Sequence, residues 1–362
     1  MAWRARTRGL TVLVLDRGPL GAETTAVAAG MLAPVSEADA QERALVRLGL
    51  ESARRWPAFA AELADVSGID VGYRESGTLL LARDGDEAEA LSRELALREQ
   101  LGLEAQALPP SQARALEPAL APGLRAALEI PGDHAVDPRL VAAALAVAAE
   151  RAGVTLRPNT AVARLLAREG RARGLALEDG EEVRASQVVI AAGPWSGVLD
   201  GVPQDARIPV RPVKGQLLRL RDPAHDPQAP LLRRVVRYEG GYIVPRGDGR
   251  YVLGATSEER GFDTSVTALA LHELLRDASE LVPGVLELEV EELLAGLRPG
   301  TPDNAPVLGA SGALPGLCWA TGHHRNGVLL APMTGELLAA VLAGESEGAA
   351  EFSPDRFAEV AA

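Results

Sequence analysis

The chain has 362 residues but very few of several residue types. Lys214 is its only lysine, so nearly all basic side chains are arginine, and aromatic residues make up only 3% of the composition. Cys318 is its only cysteine, which excludes an intrachain disulfide and a thiolate metal cluster. Such sparse cysteine use is compatible with a reducing compartment, so the cytoplasm is the expected location.

Long apolar runs and excess positive charge are also missing. No apolar run approaches the ~20 residues that span a membrane, so we expect no membrane association. The formal net charge of −13 disfavours a nucleic acid or an anionic membrane as partner. His323 and His324 have no carboxylate or third histidine at ligand spacing, and we therefore expect no metal site.

The first residues predict half of a βαβ unit. Residues 2–9 are typical of a helix end with a glycine stop, and the apolar run 10–15 predicts a strand that ends at Asp16. In a dinucleotide-binding unit, an acid at the end of the second strand binds a ribose hydroxyl about 20 residues after the glycine fingerprint. That fingerprint would precede Met1, so we expect a misplaced start with roughly 15 residues of the unit upstream. An ordinary α/β strand that ends in aspartate is the alternative interpretation.

The remaining pattern predicts an α/β fold with α+β insertions. Asp137 and Pro138 begin an alanine-rich helix, and 188–193 is a fully apolar strand typical of a parallel sheet. From about residue 209 the pattern changes to short antiparallel strands, before α/β elements return near residue 317. We expect two domains: a discontinuous, Rossmann-like nucleotide domain (1–68, 134–206 and 296–362) and an antiparallel-sheet substrate domain (69–133 and 207–295).

Local patterns predict the elements around these domains. A long helix is predicted over 37–66, two short strands within 69–82, an irregular proline-rich segment with a short helix over 109–131, and a helix from Val328. Ligands of such folds bind at the domain boundary and at the carboxyl ends of parallel strands.

Two segments near the parallel strands suit a nucleotide cofactor. In the segment 24–32, Thr24 and Thr25 lie at a predicted helix start, where hydroxyls bind phosphate and small residues admit close backbone approach. The strand before Gly193 ends in small residues, so a cofactor could lie against its backbone. The structural alternatives are an N-cap with tight helix packing for the first segment and an ordinary strand-to-loop turn for the second.

Two later segments suit an anionic ligand. In the segment 296–306, Arg298 lies between a glycine and two nearby prolines, so a rigid, pre-organised backbone could present its guanidinium to a carboxylate. A structural arginine that secures a loop is the alternative. In the segment 321–327, a glycine-rich turn precedes a helix, whose N-terminal amides favour an anion such as a reduced flavin. Loop packing is the alternative role for its two histidines.

Together, in their order and in their residue sequences, these segments resemble the flavin-dependent D-amino-acid oxidase superfamily, and most of all its glycine-oxidising branch in thiamine biosynthesis. The similarity extends from Trp3 to about Gly344, although the family's N-terminal strand and GxGxxG loop are not in the chain. Its most diagnostic stretches are 24–34, 213–216, 242–246, 253–256, 296–306 and 322–332.

The resemblance implies FAD as the cofactor, and non-covalent binding, since the sole cysteine does not match the position where related sarcosine oxidases attach flavin. It implies that Arg298 pairs with the substrate carboxylate, that Tyr242 donates a hydrogen bond to it, and that Arg325 is a second substrate-side arginine. The implied cofactor-binding residues are Asp16, Arg17, Thr24, Thr25, Ala29, Gly30, Met31, Val162, Gly193, His323, His324, Arg325, Asn326, Gly327, Val328 and Leu329.

The activity implied by the resemblance is oxidative deamination of glycine, or of another small amine or D-amino acid, with O₂ as the electron acceptor. Glyoxylate, ammonia and hydrogen peroxide would be the products. The alternatives are another oxidase or dehydrogenase of the superfamily, and a truncated, inactive homologue that serves as a binding module. Proteins of this type are often homo-oligomers, but the sequence shows no interface.

Overall fold

The computed structural model describes residues 1–360, so Ala361 and Ala362, which end the expected segment 296–362, lie outside the described residues. The helices of the described chain are α1 (Ala2–Thr7), α2 (Thr24–Val27), α3 (Arg43–Ser67), α4 (Gly85–Leu101), α5 (Pro110–Leu116), α6 (Pro138–Arg151), α7 (Ala268–Leu281) and α8 (Ala331–Leu342). Its strands are β1 (Leu13–Leu15), β2 (Met31–Leu32), β3 (Thr78–Ala82), β4 (Gln106–Leu108), β5 (Ala126–Ile130), β6 (His134–Ala135), β7 (Thr155–Arg157), β8 (Val162–Arg168), β9 (Arg171–Leu177), β10 (Glu182–Arg184), β11 (Val188–Ile190), β12 (Arg211–Arg221), β13 (Val235–Tyr238), β14 (Gly241–Pro245), β15 (Arg250–Gly254), β16 (Glu289–Gly300), β17 (Val307–Ala310) and β18 (Leu317–Thr321).

Short parallel strands and helices form the α/β part of the fold. Strand β1 pairs in parallel with β7, and β11 pairs in parallel with β18, as expected for a nucleotide domain. Helices α1, α3, α6 and α8 pack together over a core that includes Trp56, Leu63 and Leu330. Helix α6 begins as predicted, because the Asp137 carboxylate accepts a hydrogen bond from the Arg139 amide at 3.0 Å and Pro138 needs no amide partner.

An eight-stranded sheet forms the second part, in the order β16-β12-β15-β14-β13-β3-β5-β4. Its neighbours are antiparallel, as predicted, except that β3 and β13 pair in parallel. Leu218, Ile243 and Leu253 from this sheet are fully buried, and they share a core with the apolar face of α7. The α/β class with its β-rich insertions is therefore the observed fold.

Several local predictions were wrong. The segment 109–131 was expected to be irregular beyond its short helix, yet Ala126–Ile130 is strand β5, paired on both sides. Within 69–82 only β3 is a strand, and Arg74 instead makes an isolated bridge to Ala135. Partner strands distant in sequence decide these pairings, and a local pattern does not contain them.

Helix and strand limits near the site also differ from expectation. The helix predicted from residue 37 begins at Arg43, and the helix predicted from Val328 begins at Ala331. Strand β16 runs through position 296, where the expected domain boundary falls, so the two expected domains share one strand. The domain division stays a proposal. Within residues 1–360, no helix is both long and apolar enough to cross a bilayer.

Candidate active site

A cavity of about 1610 Å³ lies where the parallel strands meet the large sheet. Ligand pockets commonly measure about 300–1,000 Å³, so this one has room for a dinucleotide and a small substrate together. The sequence-predicted residues in its wall are Thr24, Thr25, Ala29, Gly30, Met31, Gly193, Tyr242, Arg298, His323, His324, Arg325, Asn326, Gly327 and Val328. The structure thus brings together most of the residues that sequence analysis selected.

Two predicted residues beside β1 lie outside this wall. The Asp16 carboxylate accepts a hydrogen bond from the Gly18 amide at 3.0 Å, within the turn that follows β1. The Arg17 guanidinium forms an ion pair with Glu23 and lies 3.6 Å above the Trp195 ring. Their contact with a ribose stays a prediction.

Two further predicted residues are also outside the wall. Val162 begins strand β8 and pairs with Leu177. Leu329 is buried, and its carbonyl accepts hydrogen bonds from Ser52 Oγ at 2.7 Å and Trp56 Nε1 at 2.9 Å. These contacts bind Leu329 to helix α3, and its role at the cofactor stays a prediction.

Arg298 lies on a regular strand, and the pairing of that strand makes its backbone rigid. It is part of β16 and pairs with Val213 of β12. Its Nη1 donates to the Thr256 carbonyl at 3.1 Å and to the Lys214 carbonyl at 3.4 Å. These bonds fix the guanidinium at the cavity wall, beside Tyr242. A guanidinium presented in this way suits a carboxylate.

Tyr242 lies on β14, directly opposite Gly254 of β15. Burial raises the pKa of Tyr242, while the neighbouring positive charge of Arg298 opposes that rise. The phenol therefore stays protonated at neutral pH and can donate a hydrogen bond. Tyr242 and Arg298 thus place two hydrogen-bond donors in one part of the cavity wall.

The segment around α2 contacts strand β16. Thr24 Oγ donates to the Leu297 carbonyl at 2.7 Å, and the contact of Thr24 and Thr25 with a phosphate stays a prediction. Helix α2 has only four residues, too few for the N-terminal anion site that was expected. Gly30 has a φ of 81°, and a Cβ there would lie 2.0 Å from the Val136 carbonyl oxygen. The close backbone approach at Gly30 is therefore to the protein itself.

Three arginines hold the segment that contains Ala29 against the large sheet. Arg246 donates to the carbonyls of Ala29 and Val136, each at 2.7 Å. Arg219 and Arg139 both donate to the Ala26 carbonyl, at 2.8 and 3.0 Å. Burial lowers the pKa of Arg246 to about 10, so it still carries its charge at neutral pH. Sequence analysis noted Arg246 only within a family-like stretch and missed this function.

Gly193 follows the apolar strand β11 and lines the cavity with bare backbone. Its φ is 53°, and a Cβ built there would meet nothing within 4 Å. Its carbonyl accepts a hydrogen bond from Thr321 Oγ at 3.0 Å. Open space therefore lies beside this backbone, and contact of a cofactor with Gly193 stays a prediction.

The turn at 322–327 contains two histidines that carry no charge at neutral pH. His323 Nε2 lies 3.0 Å from Thr334 Oγ, and the Leu330 amide donates to the Asn326 carbonyl at 2.9 Å. Burial lowers the pKa of His323 to about 4, and burial and nearby arginines lower that of His324 to about 4. At neutral pH, polarity in this turn therefore comes from its backbone amides and from Arg325.

Glu37 and Arg237 are among the charged residues of the same wall that were not predicted from the sequence. Glu37 Oε2 lies 3.1 Å from Arg325 Nε, and Glu37 Oε1 lies 3.4 Å from Arg237 Nη2. No local motif contains Glu37, and its partners lie on distant parts of the chain. Only the fold reveals this cluster.

Comparison with known proteins assigns this fold and its cavity to the flavin-dependent oxidoreductases. Residues 1–341 match the sequence profile of the FAD dependent oxidoreductase (DAO) family, to which the chain belongs. The chain is 38% identical to the glycine oxidase of Geobacillus kaustophilus over 346 residues, which cover 95% of this chain and 89% of that protein. The crystal structure of glycine oxidase from that organism superposes with a TM-score of 0.90 at 37% identity, over 98% of this chain and 94% of that chain.

Two further relatives extend the comparison. The bifunctional protein ThiO/ThiG of Trichormus variabilis is 35% identical over 94% of this chain, which corresponds to 50% of that protein. Iminodiacetate oxidase from Chelativorans sp. BNC1 is 30% identical, with a TM-score of 0.86 over 98% of this chain and 95% of that chain. The protein is thus an FAD-dependent amine oxidoreductase that acts on a small-molecule substrate.

The described residues fit FAD by their own geometry. The cavity has sufficient volume, Gly193 leaves open space beside its backbone, and the turn at 322–327 lines the same cavity. When bound, FAD supplies the two-electron oxidation of the amine. The contribution of the chain is to bind and orient the substrate through groups such as Arg298 and Tyr242.

Proposed function

We propose that this protein oxidises glycine, or a similarly small amine, to the imine while O₂ is reduced to hydrogen peroxide. Water then hydrolyses the imine, which for glycine yields glyoxylate and ammonia. The observation that carries the proposal is the position of Arg298 and Tyr242 in the same cavity wall as Gly193 and the turn at 322–327. The arginine would hold the substrate carboxylate, and the tyrosine would donate a second hydrogen bond to it. With the carboxylate fixed, the amine-bearing carbon is presented to the cofactor-binding part of the cavity.

The chain's own residues supply little acid–base chemistry in this proposal. Both histidines of the turn have a pKa lowered to about 4, and Tyr242 has a raised pKa, so all three stay uncharged at neutral pH. Catalysis would depend on the orientation of the substrate and on charged groups that the fold positions before the substrate binds. Both effects are large in enzymes.

The position of the single cysteine supports non-covalent FAD. Cys318 is buried in strand β18, and burial raises the pKa of its thiol to about 11, so it is a poor nucleophile. We include the cytoplasm and the thiazole branch of thiamine biosynthesis in the proposal. The sparse cysteine content supports the first, and the relative named ThiO/ThiG supports the second. Assembly into a homo-oligomer is likewise proposed.

The proposal is tested with protein reconstituted with FAD and supplied with glycine, sarcosine or D-alanine. In the presence of oxygen we expect glycine-dependent release of hydrogen peroxide. Under anaerobic conditions we expect glycine to bleach the flavin absorbance. Arg298→Ala is expected to raise the KM for glycine at least about 100-fold, since a charge-assisted carboxylate pair is lost. Arg93→Ala, at an exposed position on α4, is the matched control.

The possible outcomes separate the alternatives. Strong preference for sarcosine or D-alanine would assign another substrate within the family. Protein that stays colourless after addition of FAD would favour the inactive homologue. An unchanged KM in Arg298→Ala would remove the carboxylate-binding role of that residue.

A further inference from the structure

The wall of the cavity holds more arginines around Tyr242 and His324 than one substrate carboxylate needs. Arg237, Arg298 and Arg325 all line it, whereas a single-carboxylate substrate requires one arginine. Glu37 lies in the same wall, and its carboxylate contacts two of these three arginines. The cluster joins residues from three separate parts of the chain.

The Glu37 carboxylate is held in place from both sides. Oε1 lies 3.4 Å from Arg237 Nη2 and Oε2 lies 3.1 Å from Arg325 Nε, so each oxygen contacts a different arginine. Only 11% of the Glu37 side chain is exposed, against 43% for Arg325. A largely buried carboxylate between two guanidinium groups is a stable internal counter-ion.

The backbone that presents Glu37 is itself fixed by buried polar groups. Asp133 is fully buried, and its carboxylate accepts hydrogen bonds from the amides of Val35 at 3.0 Å and Ser36 at 2.7 Å. Arg98, also fully buried, donates to the Ser36 carbonyl at 2.8 Å. Arg237 Nη1 adds a bond to Ser36 Oγ at 2.8 Å. Glu37 therefore sits at the end of a rigid turn and cannot swing freely.

Glu37 also acts on the substrate end of the cavity. Burial is the largest cause of the raised pKa of Tyr242, the residue proposed to bind the substrate carboxylate, and the negative charge of Glu37 raises that pKa further. A second anionic group on a substrate would thus meet the Glu37 carboxylate in addition to the arginines that Glu37 neutralises.

We propose that Glu37 determines substrate specificity by occupying the second anion position of the site. It neutralises Arg237 and Arg325 and leaves Arg298 as the clamp for one carboxylate. The site therefore selects amines that carry a single carboxylate and rejects those with a second acidic group, because like charges at close range cost binding energy. This inference rests on the proposed function, whose small amine substrate it restricts to monocarboxylates.

The test compares ligands that differ by one carboxylate. Calorimetry on the FAD-loaded protein measures binding of acetate and malonate, and steady-state assays compare sarcosine with iminodiacetate, both secondary amines. In the unaltered protein we expect acetate and sarcosine to be preferred. Glu37→Gln is expected to strengthen malonate binding about tenfold relative to acetate, and to raise the iminodiacetate-to-sarcosine ratio of kcat/KM by a similar factor.

Two further variants define the cause. Glu37→Asp keeps the negative charge and is expected to keep the preference for one carboxylate. Glu89→Gln removes an equal charge from an exposed pair on α4 and is expected to change neither ratio. The inference is overturned if the unaltered protein binds malonate as tightly as acetate, a result that does not require any variant to fold. It is equally overturned if Glu37→Gln folds and both ratios stay at their original values. Acetate and malonate binding need no turnover, so failure of the proposed oxidation is recognised separately.

Discussion

The guanidinium of Arg298 occupies the space that Gly215 leaves by having no side chain. A Cβ at position 215 would lie 2.5 Å from both Nη1 and Nη2 of Arg298, and 2.7 Å from its Cζ. The two residues belong to the paired strands β12 and β16, where Gly215 faces Gly296 and Arg298 faces Val213. Arg298 therefore extends diagonally across the sheet to reach the Thr256 carbonyl.

Substitution at Gly215 is expected to damage the site and spare the fold. In Gly215→Ala the new methyl group displaces the end of a flexible side chain, so the free energy of unfolding should fall by only about 1 kcal/mol or less. The displaced guanidinium loses its carbonyl partners, and the KM for the amino acid should rise at least about tenfold. Thermal unfolding and steady-state kinetics measure the two effects.

Gly123→Ala is the matched control, because a Cβ at Gly123 meets nothing within 4 Å. If Gly215→Ala unfolds the protein, or leaves KM at its original value, then Gly215 does not act through Arg298.

Gly254 is expected to have the same relation to Tyr242. A Cβ at 254 would lie 2.7 Å from Tyr242 Oη and 2.8 Å from its Cζ. Gly254→Ala should therefore move the ring and raise KM, and Tyr242→Phe should also raise KM because it removes the hydroxyl. Because both changes remove one interaction, the double variant should be little worse than either single variant. Additive effects in this double-mutant cycle would show that the two residues act independently.

The sequence was sufficient to predict those helices and strands whose residue pattern lies within the segment itself. Helix α6 was correctly predicted from Asp137 and Pro138, and strand β11 from its continuous apolar run. Strands β5 and β16 were missed, because their partners come from distant segments and their own patterns are interrupted by proline or charge. Pairing supplied by the rest of the fold overrides weak local preference.

The residues of the candidate site fall into the same two groups: those that a short motif predicts and those that only the fold brings together. Arg298 and the turn at 322–327 were selected from short motifs, and both line the cavity. Glu37 was not selected, since its function depends on Arg237 and Arg325, which lie far away in sequence. The rigid backbone at Arg298 was attributed to the nearby glycine and prolines, whereas the pairing of strand β16 with β12 supplies it.

Arg246 is expected to be a positioning residue for the segment beside Gly30. Arg246→Met would leave the buried carbonyls of Ala29 and Val136 without their donors. Since unsatisfied buried polar groups are costly, the free energy of unfolding should fall by about 2–4 kcal/mol. The same loosening should weaken FAD binding, measured by flavin fluorescence titration of folded protein below its unfolding temperature.

Arg93→Met on the exposed face of α4 is the control for loss of an arginine, and it should change neither measurement. Full stability in Arg246→Met would show that water replaces the lost donors and that Arg246 does not hold the segment.

Acid should destabilise the protein partly through His324. Its pKa is lowered from 6.5 to about 4 in the folded chain by burial and by positive charge from Arg325, Arg298 and Arg211. Between these values the unfolded chain binds the proton that the folded chain does not, so stability is complete above pH 6.5 and falls as the pH drops towards 4. For a partly exposed residue this contributes about 1–2 kcal/mol of loss between pH 7.5 and 5.0.

His324→Asn isolates the contribution of His324 to acid destabilisation. Residue 324 has a φ of 48°, which asparagine tolerates better than most residues. The backbone bond from the 324 amide to the Pro299 carbonyl, 2.9 Å in length, is also kept. Urea unfolding at pH 7.5 and 5.0 should show that His324→Asn loses about 1–2 kcal/mol less on acidification than the unaltered protein. His272→Asn, at an exposed position on α7, repeats the chemical change away from the cavity. Equal losses in His324→Asn and the unaltered protein would mean that His324 accepts its proton as readily in the folded chain as in the unfolded one.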